Sequence, residues 1–146
     1  MQKENYKILL LSGGADSMFL NQEIVFDKKV FFDYGQNHKQ KEFKICAKFI
    51  DNVIKLPVFI SINKEVNCRN LTFILNLVSI YGDKDLDIFL GTNKEDIYKD
   101  NSSEFYDKTE IFINTISLNR VSIKTPLINY SKKDIVKKLK SKFYTD

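Results

Sequence analysis

The sequence predicts an α/β domain of three layers, α/β/α, with a parallel sheet of about five strands between two sheets of helices. Two observations carry this reading. Short, nearly unbroken apolar runs such as Ile8-Leu9-Leu10-Leu11 alternate with segments whose apolar residues recur every three or four positions. Polar clusters at Ser12, Asp33, Arg69, Gly91 and Thr125 each follow a strand-like run. In a parallel sheet with right-handed crossovers these clusters converge on one edge, beyond the carboxyl ends of the strands, where ligands bind at the point at which strand order reverses. The length, 146 residues, with 43% hydrophobic content, fits a single domain spanning 1–146 around one core.

Taken in order, Tyr6 to Leu11 reads as a strand buried on both faces, and a short helix begins near Ala15 and gives way at Asp27-Lys28-Lys29. Val30-Phe31-Phe32 is the second strand. Beyond Asp33-Tyr34-Gly35-Gln36-Asn37-His38, a helix sets Phe43, Cys46, Ala47 and Ile50 on one face. Val53 to Leu56 is the third strand, followed by Pro57 and the alternating Val58-Phe59-Ile60-Ser61-Ile62. After Asn67-Cys68-Arg69-Asn70, the helix Leu71 to Tyr81 is apolar nearly all round, so it is central or buried in a subunit contact. Gly82 ends it.

Asp87 to Leu90 is the fourth strand and runs into Gly91-Thr92-Asn93, then into a polar loop in which Asp100-Asn101-Ser102-Ser103 reads as turn residues. Phe105, Phe112, Ile113 and Ile116 mark another amphipathic helix, the fourth, and Val121-Ser122-Ile123 a short fifth strand closed by Thr125-Pro126-Leu127. Ser131-Lys132-Lys133-Asp134 has the form of a capping box. It opens a last helix with Ile135, Val136, Leu139 and Phe143 on its buried stripe.

Charge excludes some classes of function. Lys and Arg number 23 against 19 Asp and Glu, a net charge of +4, and the two signs are interspersed. That is compatible with a nucleotide substrate and too slight for a nucleic-acid groove. No segment resembles a signal peptide and no apolar run approaches the roughly 18 residues that span a bilayer. The expected location is therefore cytoplasmic. Cys46 and Cys68 lie far apart without metal-ligand spacing, so two reduced thiols and no zinc site are expected.

Ser12-Gly13-Gly14-Ala15-Asp16-Ser17 has the chemistry of a phosphate cradle. Two adjacent glycines let backbone approach an anion, and the following helix offers unpaired N–H groups and a positive dipole end. No lysine follows the glycines, so this is not the G-x-x-x-x-G-K-[ST] loop, and another residue must supply the cation. Asp16 inside an anion site is repulsive unless it holds a metal, which points to Mg²⁺ between carboxylate and phosphates. A tight turn capped by Ser or Asp is the competing reading of these six residues alone.

The same loop resembles the PP-loop of ATP pyrophosphatases, the group that includes GMP synthetase, NAD synthetase and tRNA-thiolating enzymes. Narrower matches follow along the chain. Asp33-Tyr34-Gly35-Gln36 with His38 and Glu42, Arg69-Asn70, Gly91-Thr92-Asn93 with Asp96, Tyr98, Asp100 and Phe105, and Pro126-Leu127 with Ser131-Lys132 resemble segments of QueC, the 7-cyano-7-deazaguanine synthase family of queuosine biosynthesis. The chain departs from the family at Asn67 and Cys68, where a proline and a small residue are usual. It also holds none of the four cysteines of the family's C-terminal zinc-binding tail.

The resemblance implies a Rossmann-like fold of the adenine nucleotide alpha hydrolase kind and an ATP-dependent carbon-nitrogen ligase. It would activate the carboxylate of 7-carboxy-7-deazaguanine as an acyl-adenylate, with ammonia attacking to give the amide and then the nitrile. On this reading Ser12, Gly13, Gly14, Ala15, Asp16 and Ser17 bind the phosphates of ATP, with Asp16 on Mg²⁺, and Asp33 and Tyr34 shape the nucleotide pocket. Lys132 supplies the missing phosphate charge. Arg69 grips the substrate carboxylate or the phosphates, and Gln36, Asn70, Gly91, Asn93, Asp96 and Tyr98 read the substrate base. His38, the single histidine, either orients a proton transfer or sits exposed at a helix start. For Arg69 a surface ion pair, and for Lys132 a solvated helical turn, are the bland alternatives.

Two further functions fit the same motifs. One is a QueC-like ligase joining the deazaguanine carboxylate to an amine on a protein, as in anti-phage operons; the other is a non-catalytic nucleotide-binding subunit. The expected partners are the small-molecule substrate with ammonia or a protein amine, and a second copy of the chain or another subunit. Neither a membrane nor a nucleic acid is expected.

Overall fold

The computed structural model describes residues 4–11, 15–34, 39–58, 68–95 and 101–143. The elements alternate as β1 (Tyr6–Leu11), α1 (Ala15–Glu23), β2 (Lys28–Asp33), α2 (Lys39–Phe49), β3 (Val53–Pro57), α3 (Arg69–Ile80), β4 (Leu86–Leu90), α4 (Ser103–Ile116), β5 (Val121–Lys124) and α5 (Lys132–Phe143). All five strands are parallel in the order β3-β2-β1-β4-β5, so strand order reverses between β1 and β4. The three-layer expectation holds. The alternating stretch from Phe59 to Ile62 lies outside the described residues, as does the side chain of Phe143.

Period-two alternation divides the core between the faces of the sheet. Ile8 and Leu10 of β1, with Val30, Phe32, Ile88 and Leu90, pack against Phe73, Ile74 and Leu77 of α3 and Tyr106 and Ile113 of α4. Leu9 and Leu11, with Phe31 and Phe89, pack against Leu20 of α1, Cys46 of α2, and Leu127 and Ile135. Each such buried aliphatic side chain stabilises the fold by about 1.5–3 kcal/mol. β1, at the centre, is buried on both sides from Ile8 onward, which accounts for its unbroken apolar run.

Two local expectations need correction, and a third holds for a different local reason. Ala47 of α2 is exposed, because Cys46 and Ile50 already fill the contact with the sheet. In α4 the buried residues are Tyr106, Thr109 and Ile113, spaced three and four apart, while Phe112 and Ile116 are 62% and 64% exposed. The apolar surplus thus lies on the outside of α4, joined by Ile111 and Leu118, more than on α3, where Leu75 and Ile80 are the exposed apolar residues. Gly82 follows α3 without a left-handed turn. Its role is close approach, since a Cβ there would lie 2.5 Å from the carbonyl oxygen of Val78.

The open edge of β5 is covered by side chains of α4. Glu110 Oε1 accepts from the Ile123 amide at 2.7 Å, and Asn114 exchanges two 2.8 Å bonds with the amide and carbonyl of Val121. These bonds occupy backbone groups that would otherwise template pairing with another chain.

Candidate functional site

The carboxyl ends of β1 and β4 lie side by side at the topological switch point, and the segments leaving them are clasped together. Asn93, 3% exposed, donates from Nδ2 to Asp16 Oδ2 at 2.9 Å, and its own Oδ1 accepts from the Glu95 amide at 2.8 Å. Gly91 makes this possible. A Cβ on Gly91 would sit 2.7 Å from the Asp16 Cβ and 3.3 Å from the Asp16 carbonyl carbon, so only glycine lets the first turn of α1 come this near β4. Asp16 is half-buried at the start of α1, whose positive dipole end faces the same edge, and Ser17 beside it is fully buried.

A second group sits over β2 and α3. The Phe73 ring stacks on Phe32 at 4.8 Å and tilts against Tyr34 at 5.7 Å, which fixes Tyr34 beyond the end of β2. Arg69 Nη1 donates to the Tyr34 hydroxyl at 3.3 Å. This brings the first residue of α3 back to β2, although the two lie 35 positions apart in the chain. Asp33 pairs with Lys55 across β2 and β3 at 3.7 Å, and its carbonyl accepts from the Val58 amide.

A third group joins α3, β4 and α4. Asn70 Nδ2 donates to the Tyr106 hydroxyl at 3.4 Å, and both Tyr106 and Thr92 donate to Asn101 Oδ1. Asn70, Thr92 and Tyr106 are all buried. On the far side the Lys94 amide donates to the Tyr130 carbonyl at 3.1 Å, tying the segment after β4 to the turn before α5.

The capping box of α5 forms as expected. Ser131 Oγ accepts from the Asp134 amide at 3.1 Å while the Ser131 amide donates to Asp134 Oδ2 at 3.4 Å. The bonds from Ser131 hold the Asp134 carboxyl below its ordinary value, and the charges of Lys94 and Lys138 lower it further. Lys132 is exposed in the first turn of α5, and α5 packs along α1, so Lys132 and Asp16 begin neighbouring helices at one edge.

Of the residues singled out in the sequence, the structure brings Asp16, Gly91 and Asn93 together, sets Arg69 on Tyr34, and places Asn70 in the buried group around Tyr106. Ala15 packs against the core beneath α1. Ser12, Gly13, Gly14, Gln36, His38, Asp96 and Tyr98 lie outside the described residues. Two participants escaped sequence reasoning. Asn101 read as a turn residue, and Tyr106 was masked by Phe105 beside it; the helical spacing Tyr106, Thr109, Ile113 is the signal that would have exposed it.

A protein-family model described as queuosine biosynthesis protein QueC matches residues 60–143, more than half of the chain. The chain belongs to the QueC family. Over an alignment of 170 residues it is 26% identical to a 7-cyano-7-deazaguanine synthase of Rickettsia felis, covering 89% of this chain and 76% of the relative. That alignment is longer than the 146-residue chain, so the QueC-family relative carries segments inside it that this chain lacks. Among solved structures, the predicted subunit of a tRNA methyltransferase from Methanocaldococcus jannaschii superposes with a TM-score of 0.59 at 14% identity. The match covers 93% of this chain and 75% of that one, and it attests the fold. Among the described residues no helix is long and apolar enough to cross a membrane.

Proposed function

We propose that this QueC-family chain is an enzyme that uses ATP to adenylate the carboxylate of 7-carboxy-7-deazaguanine and passes the activated acyl group to an amine, giving the amide or the nitrile. The observation that carries the reading is the clasp of Asp16, Gly91 and Asn93 at the β1/β4 switch point, the position at which parallel sheets bind nucleotides.

The chemistry asks for three things. A carboxylate attacking the α-phosphorus of ATP meets charge repulsion, the departing pyrophosphate must be held, and the acyl oxygen must be kept in line. The segment from Ser12 to Ser17, at the positive end of α1, supplies N–H donors to the pyrophosphate. Arg69 grips the carboxylate with paired guanidinium N–H groups, its fork steadied by Tyr34. Lys132 balances phosphate charge. Asp33 and Tyr34 border the nucleotide, and Gln36, Asn70, Asp96 and Tyr98 border the base; His38 orients a proton.

Asp16 fits a Mg²⁺ ligand. Among the described residues there is no cluster of three or more His, Cys, Asp or Glu, and Mg²⁺ in nucleotide sites characteristically takes one or two carboxylates with phosphate oxygens and waters. When bound it would neutralise phosphate charge; Asn93 meanwhile holds the Asp16 carboxylate in a fixed orientation. The reaction belongs in the cytoplasm, where ATP is abundant.

The outside of α4, with Ile111, Phe112 and Ile116, favours a protein neighbour, either a second copy or the bearer of the acceptor amine. The test is incubation with ATP, Mg²⁺ and 7-carboxy-7-deazaguanine, with and without ammonium, following AMP and the base by mass spectrometry. AMP with an amide or nitrile is expected. AMP with added mass on a co-expressed protein instead makes the chain a protein ligase, and ATP binding without AMP leaves a nucleotide-binding subunit. Sedimentation measures the assembly.

A further inference from the structure

We propose that Tyr106 is a positioning residue that sets the substrate side of the site, acting through Asn70 and Asn101 without touching substrate; this rests on the adenylating reading above. Tyr106 is 3% exposed and its ring belongs to the core between sheet and α4, yet its hydroxyl stands among three polar side chains from three separate segments. Asn70 approaches at 3.4 Å, Thr92 at 3.3 Å, and Asn101 at 2.5 Å.

Proton counting gives the group a consistent arrangement. Thr92 and Tyr106 have one hydroxyl proton each, and both are donated to Asn101 Oδ1. The contact between the two hydroxyl oxygens then holds no proton. The lone pairs of the Tyr106 oxygen are left to accept from Asn70 Nδ2, and the amide nitrogen of Asn101 is turned to the far side of its carboxamide. Four polar side chains from three segments thus converge on one buried hydroxyl and one carboxamide oxygen, an arrangement that resists displacement of any one segment.

Each partner adjoins a residue of the candidate site. Asn70 follows Arg69; Thr92 precedes Asn93, which holds Asp16; Asn101 closes the stretch that contains Asp96 and Tyr98. Asp16 has its own anchors in Asn93 and the close approach of Gly91, so the nucleotide side is fixed without Tyr106. The start of α3, at Asn70 beside Arg69, and Asn101 ahead of α4 meet Thr92 after β4 at the Tyr106 hydroxyl. Losing it removes one bond each from Asn70 and Asn101 and leaves Asn101 held by Thr92 alone among the bonds named here.

Tyr106→Phe keeps the ring and removes the hydroxyl. Tyr81→Phe, in the same core cluster but at the opposite edge of the sheet, is the control. In the active enzyme, Tyr106→Phe is expected to raise the KM for the deazaguanine acid about tenfold while the KM for ATP stays within about twofold. Tyr81→Phe changes neither. Hydrogen exchange without substrate is the second measurement: amides of residues 70–73 and 101–106 exchange about tenfold faster in Tyr106→Phe and at the wild-type rate in Tyr81→Phe, while those of 91–95 keep the wild-type rate in both. Unchanged exchange overturns the proposal whatever the turnover. So does altered exchange with an unmoved acid KM, or a parallel rise in both KM values. A wild-type chain that makes no AMP refutes the adenylating reading, and exchange then decides alone whether Tyr106 orders the two arms.

Discussion

At the edge where the strands begin, polar side chains bond mainly to backbone. Asp27 accepts from the Lys7 amide, Asp85 from the Arg120 amide, Asn119 donates to the Lys84 carbonyl, and Asn114 takes both backbone groups of Val121; the Asn5 to Asp87 bond and the exposed Lys84–Asp83 pair are side-chain exceptions. At the edge where the strands end, polar side chains bond mainly to one another: Asn93 to Asp16, Arg69 to Tyr34, Asn70 to Tyr106, Thr92 and Tyr106 to Asn101. The first pattern satisfies groups that any sheet must satisfy. The second fixes side chains relative to side chains, which the fold alone does not require and a binding site does. On the proposed reading, one edge serves stability and the other chemistry.

Substitutions at the two edges should therefore separate stability from turnover. The largest effect is expected at Asp16→Ala, which should cut AMP formation roughly a hundredfold or more while the thermal midpoint moves little. Undiminished turnover would remove Asp16 from the mechanism. Gly91→Ala comes next: its Cβ pushes the first turn of α1 off β4, and kcat/KM should fall roughly tenfold with circular dichroism unchanged. The smallest change in turnover is expected at the other edge. Asn114→Ala should lower unfolding stability by about 1–2 kcal/mol in urea titration yet leave kcat and KM alone. A fall in kcat for Asn114→Ala would erase the distinction between the edges.

What the sequence revealed, and what it withheld, follows the range of the interactions. Strands such as Tyr6–Leu11 and the capping box at Ser131 are local patterns, and both lie where local reasoning put them. For the same reason the polar clusters after each strand lie at one edge of the sheet, beyond the carboxyl ends of the strands. Pairings across the edge are not local. Nothing in the order of residues says that Asn93 meets Asp16, and its role in holding that carboxylate emerges only when β4 lies beside β1. Phe112 and Ile116 misled because apolar character marks a buried face only if something covers it.

The bond between Asp16 and Asn93 spans 77 positions of sequence, and it has a consequence for the order of events as the chain is made. β1, β2 and β3 are neighbours in the sheet and consecutive in sequence, so they can pair while later residues are still being synthesised. Asp16 leaves the ribosome well before β4, but its carboxylate is not oriented by Asn93 until β4 has docked against β1. Long-range parallel pairing of that kind is slow. On the adenylating reading, nucleotide affinity should thus arrive late and abruptly during biogenesis.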